Sequence, residues 1–492
     1  MPPATTSRPL VIAGVMVSMF MVAIEATIVS TAMPQIAGEL GGLDLYSWVF
    51  AAFLLTQTAM TVVFGKLADL YGRKPVMLVG IVIFVVASVL AGAAWSMPSM
   101  IVFRLLQGVG AGAMQPVAMT IVADLFPAHE RGKVQGWLAS VWAMSAVIGP
   151  LAGGLIIHAL SWSWIFWINV PIGIVAIALF VLFLHEEVAH QQRSIDYAGA
   201  ALFTAAVASL MASLTLAGTG DMRPALWIGG LFLVCLVLFV WQEGRAADPM
   251  ISFALWKRRP IAAANGATLL AAMALMGLTT FLPMYIQGVL HRSPVVAGFA
   301  LTMMVLGWPA GATVAGRTFP MFGLRRIIIT GSLLLPVGAL AFLVLGPESS
   351  PVQAGVGSLV MGFGMGLLSV GCLVLVQESV DWTQRGSVTA SNIFARNLGS
   401  TLGATLLGAI LNWGLNRAGV TVTSERLRQV LEAGPASPNA DPALEAALAG
   451  SLHLTFVATF AMALLIVLIT LLVPATDIGR KPKPALAEQP GE

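Results

Sequence analysis

Apolar runs about 20 residues long recur from one end of the chain to the other, and a run of that length has few possible structures. An α-helix rises about 1.5 Å per residue, so about 20 residues cross the ~30 Å hydrocarbon core of a bilayer with every backbone N–H and C=O paired inside the segment. Runs bounded by Pro, Gly or charge number fourteen, at about 10–33, 47–68, 76–95, 100–124, 134–158, 164–184, 198–217, 224–241, 263–287, 295–316, 327–345, 352–376, 387–411 and 450–474. Little of the 492 residues is left for an aqueous domain, and only 10% are charged, against ~25% in soluble domains. The expected fold class is all-α integral membrane. The first run carries Glu25 at its middle and lacks a small-x-small cleavage site, so it reads as a retained span rather than a signal peptide. Cys235 and Cys372 lie in separate apolar runs without CxxC spacing or a His cluster, which excludes a disulfide framework and a zinc site.

The position of the charges gives orientation. With the N-terminus in the cytoplasm, 18 of the 25 Lys and Arg fall in inner segments, five in outer loops and two, Arg104 and Arg396, within spans. This is the positive-inside pattern, with both termini cytoplasmic. The same map holds a repeat. Gly65-Lys66 and Gly72-Arg73-Lys74 after span two reappear as Gly316-Arg317 and Gly323-Leu324-Arg325-Arg326 after span ten, offset by 251. Glu130-Arg131-Gly132 before span five reappears as Gln384-Arg385-Gly386 before span thirteen, offset by 254. Two homologous six-helix halves follow, 1–184 and 263–474, with a linker at 185–262 holding two inserted spans and a cytoplasmic tail at 475–492. Such a repeat is the plan of a transporter whose halves rock about a central site. The outer loop 412–449 is either a small external lid or an inert surface excursion. Within it Ser424 can cap a short helix with Leu427, Val430 and Leu431 on one face, and Asp441-Pro442 can begin another.

Ionisable groups inside spans narrow the function. Of 22 acidic residues, Glu25 alone lies deep within a span, and a lone membrane carboxylate is a functional site by default. Arg104 costs at least ~2.5 kcal/mol to insert, so it must face protein or water. At 100° per residue, Arg104, Gln107, Ala111 and Gln115 share one sector and form a polar stripe. The Gly108-x-Gly110-x-Gly112 run lies inside a span with no strand before it, and reads as close helix packing rather than a nucleotide loop. Gly149-Pro150-Leu151-Ala152-Gly153-Gly154 can kink span five.

These segments resemble motifs of the major facilitator superfamily. Gly65 to Lys74 resembles its signature loop between helices two and three, with Leu70 where the family carries a basic residue, so that Asp69 relies on Arg73 or Arg131. Arg104-x-x-Gln107-Gly108-x-Gly110 resembles the fourth-helix motif associated with proton transfer, and Gly149, Pro150, Gly153 and Gly154 match the antiporter motif of drug exporters. Ile24 to Pro34 resembles the first helix of the fourteen-helix drug:proton antiporters, with Glu25 for the family's Asp and Ser30 for its Asn.

The resemblance implies a proton-coupled antiporter that exports lipophilic small molecules (drugs, dyes, antibiotics) by alternating access. It would work as a monomer in the lipid bilayer of a bacterial-type inner membrane, energised by the proton gradient, with no cofactor, metal or nucleic acid. Glu25 and Arg104 would couple protons, and Gly65, Asp69, Gly72, Arg73, Lys74 and Arg131 would form a cytoplasmic gate. Substrate-cavity candidates are Gln57, Gln107, Gln115 and Trp142 from the first half, and Asn265, Met273, Met276, Tyr285, Gln287, Asn392, Arg396 and Asn397 from the second. Counting one carboxylate and two arginines, such a cavity is a poor host for dications, so neutral or monovalent substrates are expected. No Gly-x4-Gly-Lys-Ser/Thr loop is present to use ATP. The stretch His185-Glu186-Glu187-Val188-Ala189-His190 spaces its histidines by five where a zinc pair needs four, and reads as a solvated linker. The rival readings are an importing or dedicated metabolite carrier of the same superfamily, and a membrane sensor or enzyme with a buried polar site.

Overall fold

The structure, a computed structural model, describes residues 6–41, 45–186, 196–219, 222–246, 253–346, 348–418 and 442–474. Its long helices are α1 (Arg8–Leu40), α2 (Tyr46–Tyr71), α3 (Arg73–Gly92), α4 (Met97–Leu125), α5 (Ala128–Ala159), α6 (Asn169–Phe183, entered through the short helix Trp164–Trp167) and α7 (Tyr197–Thr219). They continue as α8 (Met222–Glu243), α9 (Arg259–Gly288), α10 (Pro294–Phe322), α11 (Leu324–Leu343), α12 (Pro351–Glu378), α13 (Arg385–Arg417) and α14 (Pro442–Leu471). Thirteen spans are long and apolar enough to cross a membrane as they stand, and α5 makes the fourteenth, bent by 40° between Ala146 and Leu151. The bend falls at Gly149-Pro150, where proline removes one backbone hydrogen bond.

Several helices outrun their apolar runs: α1 continues past Pro34 to Leu40, and α13 reaches Arg417. The helix expected to start at Asp441-Pro442 is no separate loop helix, since Pro442 opens α14 itself. The helix expected after Ser424 and the tail at 475–492 lie outside the described residues.

Packing repeats between the halves. In the first half α1 packs on α5 and α6, α2 on α4, and α3 on α4 and α6; in the second α9 packs on α13 and α14, α10 on α12, and α11 on α12 and α14. Adding eight to each label of the first set yields the second. Glycine makes these approaches possible. A side chain at Gly108 or Gly112 would run into α2, and one at Gly110 into α3; at offset 254, Gly362 and Gly366 meet α10 and Gly364 meets α11 in the same way. The turns between α2 and α3 and between α10 and α11 each hinge on one left-handed residue, Gly72 (φ 94°) and Gly323 (φ 77°), which only glycine adopts without strain.

The halves meet along two seams, α2 with α13 and α5 with α10. At the end that carries the basic turns, called here the basic end, both seams close glycine to glycine. Gly65 abuts Gly386 and Ala390, and Gly132 abuts Gly316, where even a methyl group would overlap backbone. The four glycines are the repeat pairs 65/316 and 132/386. The inserted helices α7 and α8 pack on each other and dock α7 across the first seam, against both α2 and α13. Phe203 of α7 is the wedge, its ring 5.4 Å from Phe239 of α8 and 5.5 Å from Phe394 of α13.

Replacing Gly132 by leucine should hold the second seam open. A cysteine placed at the buried Ala123 nearby should then react with a soluble maleimide several-fold faster, against the buried Cys235 and Cys372 as background. An unchanged labelling rate at equal membrane insertion would show that glycine contact does not hold the seam.

Candidate functional site

Three polar constellations lie inside the bundle. The first joins five helices of the first half, four through side chains and α2 through a backbone carbonyl. Arg104 on α4 donates from Nη1 to Glu25 Oε1 on α1 at 2.6 Å and to Gln107 Oε1 at 2.6 Å, and its Nε donates to the Val49 carbonyl of α2 at 3.2 Å. Asn169 at the start of α6 donates to Glu25 Oε2 at 2.8 Å, and Gln107 donates to the Ser88 hydroxyl of α3 at 2.8 Å. Glu25, Gln107, Ser88 and Asn169 are each 0% exposed and Arg104 is 1% exposed. A lone carboxylate at that depth would carry a large desolvation cost; guanidinium and amide donors offset it. The sequence pointed to Glu25, Arg104 and Gln107, while Asn169 and Ser88 went unnoticed, being polar residues common near span ends. The Arg104 guanidinium also lies 4.4 Å over the Phe53 ring.

The second constellation seals the basic end. Asp69 accepts from the backbone N–H groups of Gly386 (2.8 Å) and Ser387 (2.7 Å) and from the Ser387 hydroxyl (2.7 Å), so a carboxylate of one half caps the N-terminus of α13 in the other. Of the two cations expected beside it, Arg73 approaches to 3.4 Å, whereas Arg131 is engaged elsewhere, with Glu378 at 2.7 Å. Arg73 also pairs with Asp124 at 3.0 Å, donates to the Trp382 carbonyl and stacks 3.9 Å over its ring. Arg385 reaches Asp124 at 3.4 Å and Glu378 at 3.5 Å. Asp124 and Glu378 are a repeat pair at offset 254, as are Arg131 and Arg385, so each half presents an arginine to the other half's acid. Neither acid was singled out in the sequence, though the same offset would have found both. Lys74 instead holds the Leu184 and Val181 carbonyls at 2.7 and 3.0 Å, and Glu186 caps α3 by accepting from the Arg73 and Lys74 N–H groups at 2.9 and 2.8 Å. Part of the expected solvated linker is therefore tied to the bundle. His190 lies outside the described residues.

The third is a cavity of about 540 Å³ between the halves, lined by α1, α2, α4, α5, α9, α10, α12 and α13. Gln57, Gln115, Trp142, Asn392, Arg396 and Asn397 line it, together with Arg104. Six candidates do not, the first being Gln107, which is held between Arg104 and Ser88 in the first constellation. Asn265 pairs with Asn392 (3.1 Å) and Ser391 (3.0 Å); Tyr285 is buried against Phe456 with its hydroxyl donating to the Leu345 carbonyl at 3.0 Å. Met273 is buried against Gly403, the half-buried Met276 has its sulfur 3.7 Å from the Thr279 hydroxyl, and Gln287 is half-buried near the end of α9. Asn265, Met273 and Tyr285 thus pack against their own half, while Leu275 and Thr268 supply the lining from α9. Of the kink segment, Gly149 and Gly153 press on Thr27 and Thr31 of α1 and Gly154 meets nothing within 4 Å. Thr27 donates to the Ser145 carbonyl at 3.0 Å. Among the described residues no group of three or more metal-ligating side chains exists.

A seam-symmetric bundle of this kind, with a central cavity, is the plan of a membrane carrier, and the family model for the Major Facilitator Superfamily matches residues 15–404. The chain belongs to the major facilitator superfamily. It is 36% identical over 410 residues to the multidrug transporter protein MdtP of Bacillus subtilis (83% of this chain, 76% of that one) and 34% identical over 407 residues to multidrug resistance protein 3 of the same organism (82% and 80%). It is 29% identical over 447 residues to the efflux pump FUS6 of Gibberella moniliformis (88% and 79%). The human organic anion transporter MFSD10 shares the fold with a TM-score of 0.66 at 17% identity (96% of this chain, 100% of that one). So does the proton:xylose symporter XylE, with a TM-score of 0.59 at 13% identity (96% of each). This major facilitator protein is thus a transporter rather than an enzyme.

Asn169→Ala should remove one donor from the buried Glu25 carboxylate and lower the unfolding free energy of the detergent-purified protein by about 1–3 kcal/mol. Chemical denaturation checks it; no loss would show that Arg104 alone satisfies the carboxylate.

Proposed function

We propose that this transporter is a proton-coupled antiporter exporting lipophilic small molecules from the cytoplasm across the inner membrane, with both termini cytoplasmic and the basic end inward. The observation that carries the reading is the direct Glu25–Arg104 pair, buried within the first half on a wall shared with the cavity through Arg104. A carboxylate that is ionised beside Arg104 and neutral once the pair separates can load a proton from one side and release it to the other. Substrate that favours the deprotonated protein makes the exchange an antiport by linkage. Multidrug and efflux relatives support export, and the mainly apolar cavity wall supports lipophilic substrates.

The basic-end constellation serves as the cytoplasmic gate in this reading. Gln57 on the cavity wall lies about 18 Å along α2 from Asp69, at ~1.5 Å per residue, so the arrangement described has its cavity sealed from the cytoplasm. Opening inward requires Asp69 to release α13 and each arginine to release the opposite acid.

Glu25→Gln should abolish substrate-induced proton release from purified protein while leaving folding and substrate binding in place, and Glu25→Asp should retain release. Release that persists in Glu25→Gln would assign the proton to another group. Asp69→Asn keeps the shape of the cap but loses its charge, and efflux from whole cells should fall at least about tenfold at equal protein level, as expected for a charge-assisted bond worth ~1.5–3 kcal/mol. Wild-type efflux would remove Asp69 from the gate.

A further inference from the structure

Resting on that reading of the cavity as the substrate site, we infer that the preferred substrates are amphipathic monoanions, an aromatic or aliphatic body with one carboxylate or sulfonate, whose charged group is held by Arg396. The charges around the cavity decide the sign. Among the described residues two arginines line it, and no Asp or Glu does. Arg104 is already neutralised by Glu25 at 2.6 Å. Arg396, on α13, makes no side-chain hydrogen bond, ion pair or ring stacking among the described residues, though it is mostly covered. Among the described residues every other arginine this deep in the bundle is engaged: Arg104 by Glu25, Arg73 by Asp69 and Asp124, Arg131 by Glu378. An unpaired guanidinium withdrawn from water is costly and makes a strong bidentate host for a planar oxyanion.

The surroundings fit the rest of such a molecule. Asn397 and Gln115, which also line the cavity, have side-chain amides with no partner among the described residues, so donors remain for the second face of a carboxylate. At offset 254 the residue related to Arg396 is Trp142, 38% exposed and lining the cavity from the other half. The pseudo-symmetric positions thus carry an aromatic platform and a cation, one for each end of an amphipath. Glu25 itself does not line the cavity. Its closure onto Arg104 leaves a single uncompensated positive charge, which disfavours cations of any valence and selects anions over neutral molecules of the same shape.

Three fluorescent probes that differ only in their head group test this: pyrenebutyrate, pyrenebutanol and pyrenebutylamine, titrated at neutral pH into purified full-length protein and read by energy transfer from tryptophan. Wild-type protein should bind the anion about tenfold or more tightly than the alcohol, the factor expected of a charge-assisted pair, and the amine most weakly. Arg396→Gln should erase the preference and Arg396→Lys should keep part of it, both with the cooperative thermal unfolding transition of wild type, which certifies the fold. Equal binding of anion and alcohol by wild type, or a preference that survives Arg396→Gln, would overturn the anion assignment alone. Failure of all three probes to bind would overturn it together with the lipophilic-substrate reading on which it rests.

Discussion

Hydrocarbon offers no hydrogen bonds, so each polar group this chain carries into a membrane must find its partner within the protein or face its central cavity. Backbone groups solve the problem by forming helices, and side chains solve it by facing one another. The Glu25 network is the severest case: a carboxylate, a guanidinium, two amides and a hydroxyl from four helices, all removed from solvent, hold one another in a single geometry. Because a buried charge left alone is worse than a buried pair, α1, α3, α4 and α6 cannot drift apart without exposing one. The first half gains rigidity from the same atoms that are chemically active.

Much of this architecture was legible in the sequence because membrane constraints write long, simple signals. Run length gave the helices, and the two offsets gave the halves. Glu25 and Arg104 stood out since charges are rare in spans. What stayed hidden depended on side-chain direction. Asn265, Met273, Met276, Tyr285 and Gln287 lie on a span that does border the cavity, but none of them reaches its wall, Asn265, Met273 and Tyr285 being packed into the second half, and a span hydrophobic all round gives no periodicity from which to orient them. Asn169 and Ser88 were invisible because their importance arises from what they touch. Asp124 and Glu378 were hidden only in practice, being related by the same 254-residue offset as the arginines beside them.

The basic-end seal shows how a duplicated half can diverge without losing its joint. Gly65 and Gly132 meet Gly386 and Gly316, and the exchanged arginine–acid pairs obey the same pseudo-two-fold. Asp69 and Arg73 break it, since their repeat positions are Pro320 and Leu324. One seam therefore carries a charged cap on a helix end that the other, among the described residues, does not repeat. The two seams differ in electrostatics while matching in shape.

The docked α7–α8 pair adds a second asymmetry, this time toward the lipid. A two-fold bundle has two equivalent flanks through which the bilayer could touch the junction of its halves. Here Phe203 and its neighbours roof the flank between α2 and α13, while no helix among those described covers the flank between α5 and α10. A molecule dissolved in the membrane and travelling sideways thus meets the α7–α8 pair on one side of this carrier and the seam between α5 and α10 itself on the other.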